Sequence, residues 1–320
     1  MSFSDVIGQE KPTKMLQGIL SAGKLATAYL FSGERGVGKY KTAVAFASAL
    51  NCESPVGPDA CGSCASCRKI DSGRHPDLKI VTPENGLISV EEIRAVEEFL
   101  SYTPYEGKKK VVIVDDADLM NMYSANAFLK TLEEPPDNSI IILVSSRQEM
   151  LAETILSRCL KVRFSTLSET QLNNVAGLIG MTDLSDVKLR LAMGRVGQLI
   201  DDEMTGKRDD ALNVFEDMIS GKDVPVPKER ETIDELIDQF MLFIRDMVVY
   251  VSSGGRDSLF NIDSSERIAK LCKDSNIKAI INVYGLLADL KKRASYNLNK
   301  AVAFNYLSAL LVTLRQNDRI

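Results

Sequence analysis

Apolar residues along this chain follow two rhythms, and the change between them falls near residue 165. Before it, short apolar runs recur at Ala28–Ser32, Leu78–Val81, Val111–Val114, Ile140–Val144 and Lys161–Phe164. Their length and β-branched or aromatic content predict strands. Between them, Lys41–Leu50 is rich in alanine and predicts a helix. Another helix is expected from Ser89, with Glu92 completing a capping box. A third, Ser124–Leu132, runs into Glu133-Glu134-Pro135-Pro136, where proline stops it. Strands and helices alternating in this way predict an α/β domain built on a parallel sheet.

From Ser168 onward the strands stop. Ser168 is the expected cap of a helix, and short helices continue to about residue 219. Gly221–Lys228, with Pro225 and Pro227, reads as a linker. Ile233, Leu236, Ile237, Phe240, Ile244, Met247, Val248 and Val251 then recur at helical spacing, as do Ala301, Phe304, Leu307, Leu311 and Leu314. Such stripes predict helix–helix core. The expected architecture is α/β followed by all-α, with domains at 1–165, 166–222 and 223–320.

Composition narrows the classes. A net charge of -5 over 320 residues excludes an autonomous polyanion binder, so any nucleic-acid contact is local or shared with partners. No apolar run reaches membrane-spanning length, and Met1-Ser2-Phe3-Ser4-Asp5 lacks the basic and apolar regions of a signal peptide. Both point to the cytoplasm, where thiols stay reduced. There, Cys52, Cys61, Cys64 and Cys67, spaced C-x8-C-x2-C-x2-C, read as a metal site. Four thiolates suit tetrahedral zinc, and the small residues between them permit tight turns. A site closed by four protein ligands is structural. An iron–sulfur cluster and chance spacing are the alternatives. Cys159 and Cys272 stand alone and read as small buried hydrophobes. His75, the single histidine, reads as a loop residue before a strand, and with no G-x-S-x-G the chain does not fit a serine hydrolase.

The chemistry concentrates at Gly33-Glu34-Arg35-Gly36-Val37-Gly38-Lys39-Tyr40, between the first strand and its helix. This is a phosphate-binding loop: Gly33, Gly36 and Gly38 let backbone N–H groups close on phosphate oxygens, and Lys39 reaches the terminal phosphates. The next position normally carries the Ser or Thr hydroxyl that holds Mg²⁺, and here it is Tyr40. A phenol on a rigid ring cannot take that place. Thr42 cannot replace it, because two helical positions turn it about 200° away. Asp115 and Asp116 close the Val111–Val114 strand, where ligands sit in open α/β sheets, with Asp115 as the Mg²⁺-side carboxylate. Working ATPases often carry Glu at the Asp116 position, and solvated acids at a strand end are the plain alternative. Ser146 reads equally as a γ-phosphate contact or as a turn cap. ATP or ADP binding at the altered loop is left open, since the glycines and Lys39 remain.

Several segments together resemble one family. Phe3–Glu10, Ala28–Phe31, the phosphate loop, the four cysteines, Ala127–Pro136 with its T-L-E-E-P-P run, and Ser157-Arg158-Cys159 are similar to bacterial clamp-loader ATPases. This AAA+ family includes the gamma/tau and delta-prime subunits of DNA polymerase III, and the likeness covers nearly the whole chain. It implies a RecA-like domain carrying zinc, a helical lid and a C-terminal helical collar for oligomerisation. It implies a hetero-pentamer with gamma/tau and delta subunits that sets a sliding clamp on primed DNA. It implies that Arg158 serves in trans as an arginine finger at a neighbour's ATP site, where a permanently charged guanidinium can fork onto phosphate oxygens. In the lid, Gly197 falls where gamma-type chains carry a phosphate-sensing arginine, and Arg195, two positions off, is expected to face elsewhere. Tyr40, Asp116 and Gly197 all weaken the same site. The departures match the delta-prime branch: a subunit with no polymerase active site and little ATP turnover of its own. With the sequence ending just after the expected collar helix, no long extension of the tau kind is expected. The alternatives are a gamma/tau-type ATPase and an AAA+ scaffold outside replication.

Overall fold

Near-continuous apolar runs in the central strands let a single parallel sheet bury both of its faces. The structure, a computed structural model, describes residues 1–181, 184–200, 204–273, 275–294 and 299–315. Two compact units divide it: Met1–Thr182 with Ala192–Leu199, and Asp183–Leu191 with Ile200–Ile320.

In the first unit the strands are β1 (Ala28–Ser32), β2 (Leu78–Val81), β3 (Lys110–Val114), β4 (Ser139–Ser145) and β5 (Leu160–Arg163). They lie in the order β2-β3-β4-β1-β5, all parallel. The helices are α1 (Glu10–Ala22), α2 (Lys39–Asn51), α3 (Ala65–Asp71), α4 (Val90–Ser101), α5 (Met122–Glu133), α6 (Glu153–Leu156) and α7 (Glu169–Leu178). Tyr29 and Phe31 of β1 point to one face, where they join Phe46 of α2 and Phe164. Ala28 and Leu30 point to the other, with Phe128 of α5 and Val96 of α4. The expected parallel α/β domain is therefore present. Ser89 closes its capping box with Glu92, and Ser168 does the same with Gln171.

Two buried polar side chains fix the loop before β3. Asp77 accepts backbone N–H bonds from Tyr105, Glu106 and Gly107 at 2.7–2.9 Å. Asn51 Oδ1 accepts from Lys108 and Lys109, both at 2.9 Å. Burying a carboxylate is unfavourable without such donors, and three amides with Lys110 nearby hold Asp77 below the ordinary carboxylate range despite its burial.

α9 (Val196–Leu199) belongs to the first unit, and the second unit is all-helical, with most of α8 (Asp186–Ala192), then α10 (Met204–Ile219), α11 (Arg230–Ser253), α12 (Ser265–Cys272), α13 (Ile277–Ala294) and α14 (Lys300–Val312). Phe215, Phe240 and Phe243 form its aromatic centre, with centroids 5.0–6.5 Å apart. The α11 stripe is buried at Ile233, Ile237, Phe240, Ile244 and Met247, and Leu236 and Val248 pack against it. Val251 departs from expectation: it is exposed in the last turn, where the stripe has run past the core. Phe304, Leu307, Leu311 and Leu314 are buried as expected. Asp246, fully buried, accepts from the backbone of Phe260 and Asn261 and anchors the loop after α11.

Candidate functional site

At the C-terminal edge of β1 the chain turns through Gly33, whose φ of 153° and tight contact leave no room for a side chain. A Cβ there would sit 2.5 Å from the carbonyl oxygen of Phe164. Gly36 and Gly38 follow with φ of 79° and 98°, and α2 begins at Lys39. The loop is held from outside by Gln9, which is buried and donates from Nε2 to Val37 O and Ser165 O at 3.1 and 2.7 Å.

Lys39 is buried and turned onto its own loop. Its Nζ donates to Gly33 O at 2.7 Å, Glu34 O at 2.6 Å and Ser146 Oγ at 3.1 Å. Burial pulls its pKa below the lysine range, against the opposing pull of Asp116, Asp115 and Asp118. Burial and the charge of Asp116 push Asp115 up. Asp116 sits in the left-handed region at φ 46°, which Asp tolerates better than most residues, and its N–H donates to Asp115 Oδ1 at 3.1 Å. Tyr40 is 39% exposed at the start of α2, and burial of part of its ring together with the charge of Asp115 pushes its phenol above the ordinary tyrosine value. Thr42 is fully buried and its hydroxyl donates to Gly38 O at 2.9 Å, so it is committed within the helix. Gly33, Gly36, Gly38, Lys39, Tyr40, Asp115, Asp116 and Ser146 therefore gather around one edge of the sheet.

Two further parts of this site were not foreseen. Asp118 is buried and accepts from Ser145 Oγ at 2.8 Å, Ser146 N at 3.2 Å and Arg147 Nε at 3.0 Å. Burial raises it, but the bonds from Ser145 and Arg147 prevail and leave it below the ordinary carboxylate range. Its only signal is an acid three residues after Asp115. The second is a contact from α9: Gly197 N–H donates to Gly36 O at 3.1 Å. A Cβ at 197 would lie 3.2 Å from Gly36 Cα. Arg195 is not remote from the loop: its Cβ lies 3.6 Å from where a Cβ on Gly36 would be, and its Nε donates to Ala192 O.

The second candidate centre follows α2. Cys52, Cys61, Cys64 and Cys67 place their sulfurs within 4.8 Å of one another. A tetrahedron with ~2.3 Å metal–sulfur bonds has edges of roughly 3.8 Å, so this cluster fits one ion. Backbone N–H groups of Cys61, Cys64 and Cys67 donate to the sulfurs of Cys52, Cys61 and Cys64 at 3.3–3.4 Å. Amides of Ser63 and Cys64 bring Cys61 down to about 6, which favours the thiolate a metal needs. The four cysteines can hold a metal ion. His75 does lie in the loop before β2, but it is buried rather than solvated. Its Nε2 meets Ser66 Oγ at 3.1 Å and its Nδ1 accepts from Asp77 N at 3.1 Å, linking α3 to the sheet domain. Cys159 and Cys272 are buried, as expected of small hydrophobes.

Arg158 forms a third feature, on the short turn after α6. It is 33% exposed, with Nη1 donating to Thr154 O at 2.7 Å and Nη2 paired with Glu133 Oε1 at 2.5 Å. Among the described residues, no helix is long and apolar enough to cross a membrane.

The model of the family described as DNA polymerase III, delta subunit, matches residues 8–168. The DNA polymerase III subunit delta' of Bacillus subtilis is 28% identical over 95% of this chain and 96% of its own. The tau subunit of Escherichia coli is 40% identical over 54% of this chain, which spans only 27% of that relative's length. Among solved structures, a gamma subunit-related protein of Thermotoga maritima aligns over 94% of this chain and 99% of its own, at 17% identity and a TM-score of 0.38.

Proposed function

The chain belongs to the DNA polymerase III, delta subunit family, and on that premise we propose that it is a delta-prime-type subunit of a clamp loader, a stator that completes a neighbour's ATP site. The family match and the near full-length likeness to a delta' chain support the subunit class. One observation carries the finer reading: the same sheet unit combines an impaired nucleotide loop after β1 with an arginine left at the surface just before β5. Lys39 bonds its own loop, and Tyr40 stands where the metal's hydroxyl belongs. Arg158 is at the surface, where another chain can reach it.

In this reading Arg158 reaches the γ-phosphate bound to an adjacent gamma/tau subunit and stabilises charge that develops there during transfer. Gly33, Gly36, Gly38, Lys39, Asp115, Asp116 and Ser146 form a residual loop that keeps its shape without turning over ATP. The helical segment 223–320 is the collar that joins gamma/tau and delta subunits in a hetero-pentamer, and 166–222 is the lid. The assembly, in the cytoplasm, sets the sliding clamp on primed DNA. Cys52, Cys61, Cys64 and Cys67 hold a structural zinc, which would supply folding energy to the 52–67 segment and no chemistry.

The test is a clamp loader reconstituted with this chain. Arg158→Ala is expected to lower DNA-stimulated ATP hydrolysis by tenfold or more while sedimentation shows an intact complex, since fingers in trans contribute ~10³-fold or more in related systems. Unchanged turnover rejects the finger. Hydrolysis of Mg²⁺-ATP by the isolated chain, abolished by Lys39→Ala, would instead identify a gamma/tau-type ATPase.

A further inference from the structure

Glu133 is the last residue of α5, a poor place for a carboxylate. The unpaired carbonyls at a helix C-terminus carry partial negative charge and favour a cation there. The compensating cation comes from 25 residues further along: Arg158 Nη2, 2.5 Å from Glu133 Oε1. On its other side the guanidinium is fixed by Thr154 O at 2.7 Å, with Ser157 Oγ at 3.4 Å. A guanidinium has five N–H donors in a rigid fork, so these acceptors fix its plane and still leave donors for phosphate oxygens.

We propose that Glu133 is a positioning residue for Arg158, holding the guanidinium in the posture from which it meets a neighbour's phosphate. The inference rests on Arg158 acting in trans, as proposed above. An unrestrained arginine loses rotamer freedom when it engages a ligand, and that loss opposes the step it assists. Glu133 and Thr154 impose the order beforehand, within one subunit, so less is lost when the neighbour's nucleotide reacts. The carboxylate is half-exposed, so it guides the side chain without burying the charge that the phosphate requires.

The test uses the reconstituted complex with saturating clamp and primed DNA, and compares Glu133→Ala, Glu133→Gln, Arg158→Ala and the Glu133→Ala/Arg158→Ala double variant. Glu133→Ala is expected to lower kcat for ATP about 3- to 30-fold, within the range of coupling between contacting side chains. KM for ATP stays unchanged, because the guanidinium stabilises charge that develops during transfer and not the bound ground state. Glu133→Gln, which keeps an acceptor oxygen, recovers most of the rate. The double variant is no slower than Arg158→Ala alone. A Glu133→Ala complex that turns over as fast as wild type or faster, while Arg158→Ala is slow, overturns the positioning role and leaves the finger standing. Equal effects of Glu133→Ala with and without Arg158 assign Glu133 to the fold of α5 instead. An Arg158→Ala complex at full rate removes the finger, and the positioning role with it.

Discussion

Lys39 and Arg158 are two cations of the same sheet unit, each bonded to backbone carbonyls, yet one is turned inward and the other left at the surface. Lys39 is 5% exposed and bonds the carbonyls of Gly33 and Glu34. Arg158 bonds one carbonyl, Thr154 O, and a half-exposed acid. The difference separates two uses of positive charge. Lys39 now contributes to the loop's own structure, at a cost in desolvation. Arg158 keeps its charge accessible, at a cost in mobility that Glu133 reduces. On the proposed reading, structure-forming and partner-directed charge differ in their acceptors and burial.

Substitutions can break this contrast. The largest expected effect is the one already given for Arg158→Ala on turnover of the assembled complex, and the same variant should hardly touch folding. A partly exposed ion pair contributes about 0–1 kcal/mol, so its urea midpoint stays close to wild type. Lys39→Ala should do the reverse. It removes the three hydrogen bonds of a buried amine, and the desolvation already weighing on Lys39 returns part of the loss, leaving about 1–2 kcal/mol of destabilisation. A lowered urea midpoint for the sheet unit, with complex turnover reduced much less than in Arg158→Ala, confirms the division. The opposite ranking refutes it.

A smaller effect comes from Asp118. Its carboxyl lies below the ordinary value of 3.8 in the folded chain. The stability it contributes is therefore present above 3.8 and lost as the pH falls through the lower folded value. Asp118→Asn keeps the shape but not the charge. Its urea midpoint should fall less steeply than wild type between about pH 5 and pH 2, and an unchanged slope would place the acid sensitivity elsewhere. Metal analysis sharpens the contrast from outside both regions. About one zinc per reduced chain is expected, and chelation should increase amide exchange in 52–67 before it reaches the phosphate loop. Exchange that rises everywhere at once would mean that the module and the loop share one cooperative unit.

Features set by neighbouring residues were legible in the sequence. The capping box at Ser89, the helix cap at Ser168, the apolar runs of β3 and β4 and the proline stop after α5 depend on a few consecutive positions. The phosphate loop and the cysteine spacing are local in the same sense. What escaped is what the fold brings together. Glu133 read only as part of a helix end, because its partner lies 25 residues away. Asp118 stood unnoticed in a short turn until β4 supplied Ser145 and Ser146. His75 read as an ordinary loop residue, since neither Ser66 nor Asp77 N–H can be inferred from a single imidazole. Val251 kept the helical period but not the core, because a stripe does not announce where its neighbours end.

The meeting of Gly36 with Gly197 ties two positions together. With 3.2 Å between Gly36 Cα and the place of a Cβ on residue 197, any side chain there would require the loop backbone to give by a few tenths of an ångström. Side-chain size at residue 197 and the curvature of the phosphate loop are therefore not independent variables.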